Sequence, residues 1–369
     1  MFYGQGRYRS RPIPAVSVFA RMNNPHSPQT TVTTNPSKTT NFGPMLQRRI
    51  LVTGAAGYVG SVLCRQLLDL GYAVRGVDVL LFGEAGLRDL YSNPHFSLVK
   101  GDLCDPEIRK AALEHVEAVI HLAAIVGDPA CKQFPEVATA LMDVASRALF
   151  EEAEEVGVSK FVFASTCSNY GQMAGEELLD ENSAMQPQSH YAWLKVGFEE
   201  YLFAKSATSP VTVSILRFAT AYGLSPRMRF DLTVNHFTRD LVLGKELTVF
   251  GEHQWRPYCH VQNLAQAICL CLTHQPEIAE GVFNIGDSTE NYTKAMIVAE
   301  IQKVVPECKF AFGHQLDTDT RNYRVNFDKA ARQLQFVVTR RVPDGIREIQ
   351  AVLNSGQFDN PFDRIYQNC

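Results

Sequence analysis

The segment Gly54-Ala55-Ala56-Gly57-Tyr58-Val59-Gly60 stands between a short apolar run and a helical pattern, and no other stretch restricts the fold as tightly. Ile50-Leu51-Val52 has the length and branching of a buried strand. Val59, Leu63, Leu67 and Leu70 then recur at helical spacing, and Gly71 marks the stop. Glycines in such a turn let the backbone approach a pyrophosphate and let helix and strand pack closely. The helix N-terminus adds unpaired N–H groups and a positive dipole end. Asp78 follows Gly54 by 24 residues, at the end of the next strand pattern Ala73-Val74-Arg75-Gly76-Val77. A carboxylate there accepts both hydroxyls of an adenosine ribose and repels a 2′-phosphate. The expectation is NAD rather than NADP, held by Gly54, Gly57, Tyr58, Val59, Gly60 and Asp78.

The alternation continues downstream. Ser97-Leu98-Val99, Ala118-Val119-Ile120, Phe161-Val162-Phe163 and Val213-Ser214-Ile215-Leu216 read as further strands, separated by stretches of helical size. Such spacing demands crossover connections and a parallel sheet covered on both faces. The fold class is therefore α/β, a doubly wound parallel sheet of Rossmann type, with its ligand crevice at the carboxyl ends of the strands. Past residue 223 the alternation gives way to Pro-rich, mixed segments. The expected organisation is a leader over 1–48, a dinucleotide-binding domain over 49–222 and a smaller substrate-binding lobe over 223–369, some of whose segments return to the first domain.

Charge sets the leader apart. Met1 to Arg49 carries seven Arg or Lys and no Asp or Glu, leaving 28 basic against 39 acidic residues, or about −11, on the body. Its Ser, Thr, Asn and Pro content cannot bury enough apolar surface to offset ordering entropy, so it reads as disordered. A transit peptide, a dispensable tail and translation from Met45 all fit this composition; the prolines at 12, 14, 25 and 28 weigh against a long amphipathic helix. A net charge of −4 argues against non-specific nucleic-acid binding. No apolar run approaches the roughly 18 residues of a membrane-spanning helix. Nine cysteines without a C-x-x-C pair suit reduced thiols in a cytoplasmic compartment and suggest no structural metal site.

Further residues fit the same dinucleotide. Asp102 and Leu103 follow the third strand, where a carboxylate reaches an adenine amino group. Leu122, Ala123 and Ala124 follow the fourth, where small side chains leave room for the nicotinamide ribose. Tyr191-Ala192-Trp193-Leu194-Lys195 places a phenol and an ammonium on one helix face. A phenol with a pKa near 10 is a poor base at neutral pH, and a neighbouring ammonium together with the positive nicotinamide ring of a bound cofactor is expected to bring it into working range. About 25 residues upstream, Ala164-Ser165-Thr166-Cys167-Ser168-Asn169-Tyr170-Gly171 supplies hydroxyls at the end of the fifth strand.

In this order of motifs, over roughly residues 49–340, the chain resembles an extended short-chain dehydrogenase/reductase of the NAD-dependent epimerase/dehydratase family, whose members mostly act on nucleotide sugars. The resemblance implies that Tyr191 is the acid/base, that Lys195 orients the ribose and tunes Tyr191, and that Thr166 is the hydroxyl beside the substrate oxygen. Thr166 is preferred to Ser165 because it lies four residues before Tyr170 of the Tyr-Gly pair. The family's substrate-contacting segments are similar to Leu216–Gly223, with Thr220 in place of the usual Asn, and to Arg256–Asn263, with Asn263 in place of Asp. Arg256 and Arg321 match diphosphate-contacting arginines, and a planar guanidinium suits that task. Arg227 and Arg229 read equally well as solvated charges, and His260 as a structural histidine.

Departures from the family pattern narrow the chemistry. Dehydratases of this kind carry Asp-Glu after the catalytic Thr, whereas Cys167-Ser168 stands here. Cys167 reads as a buried, inert thiol. The expectation is an NAD-dependent nucleotide-sugar epimerase working through a keto-sugar, the alternatives being a reductase or dehydrogenase of a small hydroxylated substrate and a catalytically silent dinucleotide sensor. The resemblance also implies a homodimer built on helices around Tyr191 and Lys195.

Overall fold

The computed structural model describes residues 48–173, 175, 177–313 and 321–368; residues 1–47 of the basic leader lie outside the described residues, as do Asp319 and Thr320. Twelve strands are described: β1 (Arg49–Thr53), β2 (Ala73–Asp78), β3 (Phe96–Lys100), β4 (Ala118–His121), β5 (Lys160–Thr166), β6 (Thr212–Phe218), β7 (Thr220–Tyr222), β8 (Leu247–Val249), β9 (Trp255–His260), β10 (Gly281–Ile285), β11 (Asn291–Thr293) and β12 (Phe310–Phe312). Seven of them form one parallel sheet in the order β10-β6-β5-β4-β1-β2-β3. This is the doubly wound order in which the strand sequence reverses beside β1, and the crevice outside that reversal is where such sheets take ligands.

Each strand's alternation serves two cores. Ile50 and Val52 of β1 join a cluster with Leu63 and Ile268, while Leu51 between them joins another with Val119, Phe150 and Phe198. A strand with both faces buried is apolar without a polar beat, which is why the sequence shows short continuous runs. Each such aliphatic side chain contributes about 1.5–3 kcal/mol by leaving water. Helix Tyr58–Asp69 packs against helix Val261–Thr273, and the Gln66 amide donates to Gln262 Oε1 at 2.9 Å across them. The Lys160 ammonium donates to the carbonyls of Leu272 and His274 at 2.8 and 2.6 Å, satisfying the C-terminal end of the second helix.

The six strands read from sequence are all present. The seventh, β10, was not read, and it pairs with β6 from Gly281↔Ser214 to Ile285↔Phe218. Residues after 218 also build a three-stranded sheet, β11-β9-β7, and the pair β12-β8, over a third core containing Tyr222, Val234, Tyr258, Ile297 and Ile346. No helix among the described residues is long and apolar enough to cross a membrane.

Candidate active site

The turn after β1 is sterically committed to glycine at two positions. Gly54 sits at φ +72°, with Ala123 backbone atoms 3.1 Å from where a Cβ would stand. A Cβ on Gly60 would lie 2.1 Å from the Gly54 carbonyl oxygen, so helix Tyr58–Asp69 starts this close to the turn only with glycine there. The Thr53 hydroxyl accepts from the amides of Leu122 and Ala123 at 3.1 and 3.0 Å, fixing the end of β4 beside the turn.

Two carboxylates line the crevice at the ends of β2 and β3. Asp78 accepts from the Ala56 and Leu80 amides at 3.0 and 2.7 Å, and burial nevertheless holds its pKa above the ordinary carboxylate value. Asp102 accepts from the Cys104 amide through Oδ1 at 2.9 Å, while its Oδ2 is buried without a partner among the described residues. A buried carboxylate oxygen in a cavity wall calls for a donor, and the exocyclic amine of adenine is one. The glycine cradle, Asp78 and this orphan oxygen fit NAD.

Across the sheet, β5 ends at Thr166, and helix His190–Ser206 begins at Ser189, whose hydroxyl accepts from the Ala192 amide at 3.2 Å. Thr166 Oγ1 lies 2.8 Å from Ser168 Oγ and accepts from the Ser168 amide at 3.1 Å. Lys195 Nζ donates to the Ala164 carbonyl at 2.6 Å and stands 4.6 Å from the Phe163 ring centroid and 5.8 Å from that of Tyr191. Beneath it lies a buried network: Glu199 and Arg217 pair at 2.7 Å, and the Asn169 amide donates to Glu199 Oε1 at 2.8 Å.

The chain's own residues do not by themselves lower the Tyr191 pKa. Burial pushes the phenol well up, with smaller upward contributions from Cys131 and Asp128. The Lys195 ammonium is instead pushed down to about 7 by its own burial, against the opposing pull of Glu199. Desolvation is the largest cause of both shifts.

The two expected phosphate arginines are neighbours, Arg256 donating through Nη1 to the Arg321 carbonyl. Arg321 also meets Asp128 at 3.0 Å. Thr220 opens β7 nearby. Every residue expected at the site, from Gly54, Gly57, Tyr58, Val59 and Gly60 through Asp78, Asp102, Leu103, Leu122, Ala123 and Ala124 to Thr166, Tyr191, Lys195, Thr220, Arg256 and Arg321, lines one cavity of about 560 Å³.

Residues 50–286 match the model of the NAD dependent epimerase/dehydratase family. The chain belongs to this family. It is 30% identical over 318 residues to the uncharacterized UDP-glucose epimerase YtcB of Bacillus subtilis (strain 168), covering 83% of this chain and 98% of that one. It is 28% identical to a dTDP-glucose 4,6-dehydratase of Actinoplanes sp., covering 82% and 97%. Among solved structures, the UDP-glucuronic acid 4-epimerase from Bacillus cereus in complex with UDP-glucuronic acid and NAD superposes with a TM-score of 0.75 at 25% identity, over 83% of this chain and 99% of that one. As a family member the chain is an NAD-dependent enzyme.

Several residues of this epimerase/dehydratase cavity were not singled out in the sequence. Asp128 lines it, pairs with Arg321 and leaves its Oδ1 buried without a partner among the described residues. Arg227 and Arg229, which read equally well as solvated charges, both line the cavity; Arg227 is 6% exposed, and Arg229 pairs with Asp231 at 2.5 Å. Asn368 lines it from the far end of the chain. No local signal marks Asp128 or Asn368, because their surroundings come from distant segments. Cys167 is buried, with its thiol donating to the Arg217 carbonyl at 3.2 Å and its pKa driven well up by burial. His260 is fully buried, its Nε2 2.6 Å from Glu348 Oε1 and its Nδ1 accepting from the Gln262 amide at 3.1 Å.

Proposed function

We propose that this chain is a nucleotide-sugar epimerase in which Tyr191 exchanges the proton of one sugar hydroxyl, Thr166 orients that hydroxyl, and Arg256 with Arg321 holds the diphosphate. The observation that carries the reading is the convergence of these side chains with the glycine turn, Asp78 and Asp102 on one cavity. NAD supplies the hydride acceptor and donor when bound. Tyr191 lies on the helix face that also carries Lys195, so phenol and ammonium reach the same end of the cavity. The phenol starts protonated, and a nearby positive charge is what would favour its loss of the proton.

The relatives named for UDP-glucose and UDP-glucuronic acid support a UDP-sugar, and the 4-epimerase named among the solved structures supports the C4 carbon. Dehydration is disfavoured by the residues after Thr166. Cys167 is sealed away at the Arg217 carbonyl, and Ser168 offers a weakly acidic hydroxyl in place of the carboxylic acid that protonating a leaving hydroxyl calls for.

The reading extends to assembly. Trp193 and Phe203 project from helix His190–Ser206 with 60% and 69% exposure, which supports a homodimer across this helix. The deciding experiment is incubation with a panel of UDP-, GDP-, dTDP- and CDP-sugars. Conversion to an epimer without net formation of reduced cofactor is expected. Reduced cofactor accumulating in step with product would replace this reading with a dehydrogenase.

A further inference from the structure

Arg227 combines deep burial with an open donor. Its Nε has no partner among the described residues, and its guanidinium lies 4.2 Å from the Phe82 ring centroid in the wall of the cofactor cavity. A buried guanidinium N–H without an acceptor is costly, and native structures rarely leave one. Its Nη2 is held by the Gln367 carbonyl at 3.1 Å. The next residue, Asn368, lines the same cavity, and its amide oxygen is also buried without a partner.

The end of the chain that carries Asn368 is clamped in place. Phe230, Phe358 and Tyr366 form a three-ring cluster with centroids 5.2–5.6 Å apart. The Phe230 amide donates to the Tyr366 carbonyl at 2.8 Å. Arg239 and Lys245 stand over the Phe362 ring at 4.5 and 3.3 Å. Asp363 caps the single turn Arg364–Tyr366 by accepting from the Ile365 amide at 2.9 Å. This strap is a fixed wall of the cavity.

We propose that Arg227 and Asn368 belong to the cofactor site and bind the adenosine half of NAD. The inference rests on the placement of NAD along the glycine turn and Asp78. Arg227 stands at that end: a Cβ on Gly86 would meet both the Arg227 Cβ at 3.1 Å and the Ala56 carbonyl of the turn at 3.2 Å. Asp78 and Arg227 also sense each other's charge. The sheet order puts the end of β2 three strands from that of β5, where Thr166 stands, so Arg227 serves the end of the cavity remote from the reacting carbon. The adenosine half offers what the two side chains lack: ribose and phosphate oxygens accept from a guanidinium, and hydroxyl or adenine N–H groups donate to an amide oxygen.

The test is calorimetric titration of nucleotide-stripped protein with ADP-ribose, NAD and NADP, comparing wild type with Arg227→Ala and Asn368→Ala, each checked for an unchanged melting temperature without nucleotide. Arg227→Ala is expected to weaken ADP-ribose and NAD alike by about ten- to a hundredfold, the range for a hydrogen bond to a charged group. Asn368→Ala is expected to weaken both by about threefold to tenfold. Asn368 is near the end of the chain, so its variant remains informative if Arg227→Ala fails to fold. Wild-type affinity for ADP-ribose in a folded variant overturns the assignment of that residue. Loss confined to NADP overturns it too, making Arg227 a reader of the 2′-phosphate. Wild type that binds none of the three overturns the NAD placement itself.

Discussion

The Arg321 guanidinium and the Asp128 carboxylate meet at 3.0 Å in the wall of the cavity that contains Tyr191. Asp128 is thus both the anchor of an expected phosphate ligand and a negative charge that favours the protonated phenol. Asp128→Asn keeps the shape and removes the charge. The low-pH limb of the kcat profile is expected to move to lower pH, because the Tyr191 proton is then held less tightly. A limb that stays in place would show that the carboxylate is too well screened to act on the phenol.

Tyr191→Phe removes the proton-exchanging oxygen and keeps the ring. Turnover is expected to fall by a factor of about 10² or more, the range for lost acid/base catalysis, with NAD affinity nearly unchanged. Single-turnover kinetics and a nucleotide titration check the two halves. Full activity would take the acid/base role away from Tyr191.

At the other end of the cavity, Asp78→Ala removes the carboxylate that lies beyond the glycine turn. The NAD-to-NADP affinity ratio is expected to shrink, since the anion that repels a 2′-phosphate is gone. Unchanged selectivity would assign discrimination to another group.

Lys195 carries a pH signature in stability. Its pKa is near 7 in the folded chain against 10.5 for the free side chain, so between those values the unfolded chain holds the extra proton. The cost of burying the ammonium is full below pH 7 and fades as pH rises toward 10.5. Wild type is therefore expected to gain stability relative to Lys195→Met by up to about 1.4 kcal/mol per pH unit across that window. Urea unfolding of both proteins at pH 7, 8 and 9 measures it, and a flat difference would mean that the ammonium is stabilised in place.

Phe203→Glu places a charge on the exposed side of helix His190–Ser206. If that surface joins two copies, sedimentation is expected to show monomers for the variant and dimers for wild type. Equal assembly states would move the interface elsewhere.

The fold was legible where the chain repeats one physical solution. The inner strands, buried on both faces, left short branched runs, and the glycine turn followed by Asp78 needs only local spacing to be seen. The strand β10 escaped because Asn284 interrupts its apolar run; that amide is accommodated only in three dimensions, its Oδ1 accepting from the Tyr170 hydroxyl at 2.8 Å. The upward push on Tyr191 and the downward push on Lys195 are invisible in the sequence for a related reason: they depend on how completely both are surrounded, which no spacing encodes. Arg227 and Asn368 lie 141 positions apart, and nothing short of the folded chain puts them in one wall.

Tyr58, inside the glycine turn, donates its hydroxyl hydrogen to the Gly223 carbonyl at 2.5 Å, and the Asn235 amide in turn donates to that hydroxyl at 3.2 Å. The loop that cradles the dinucleotide is thereby riveted to the stretch running from β7 toward Arg229. Any ligand that shifts this stretch pulls on the turn through that bond, and linkage makes whatever coupling results the same in both directions. One phenol thus ties the two halves of the crevice into a single mechanical unit.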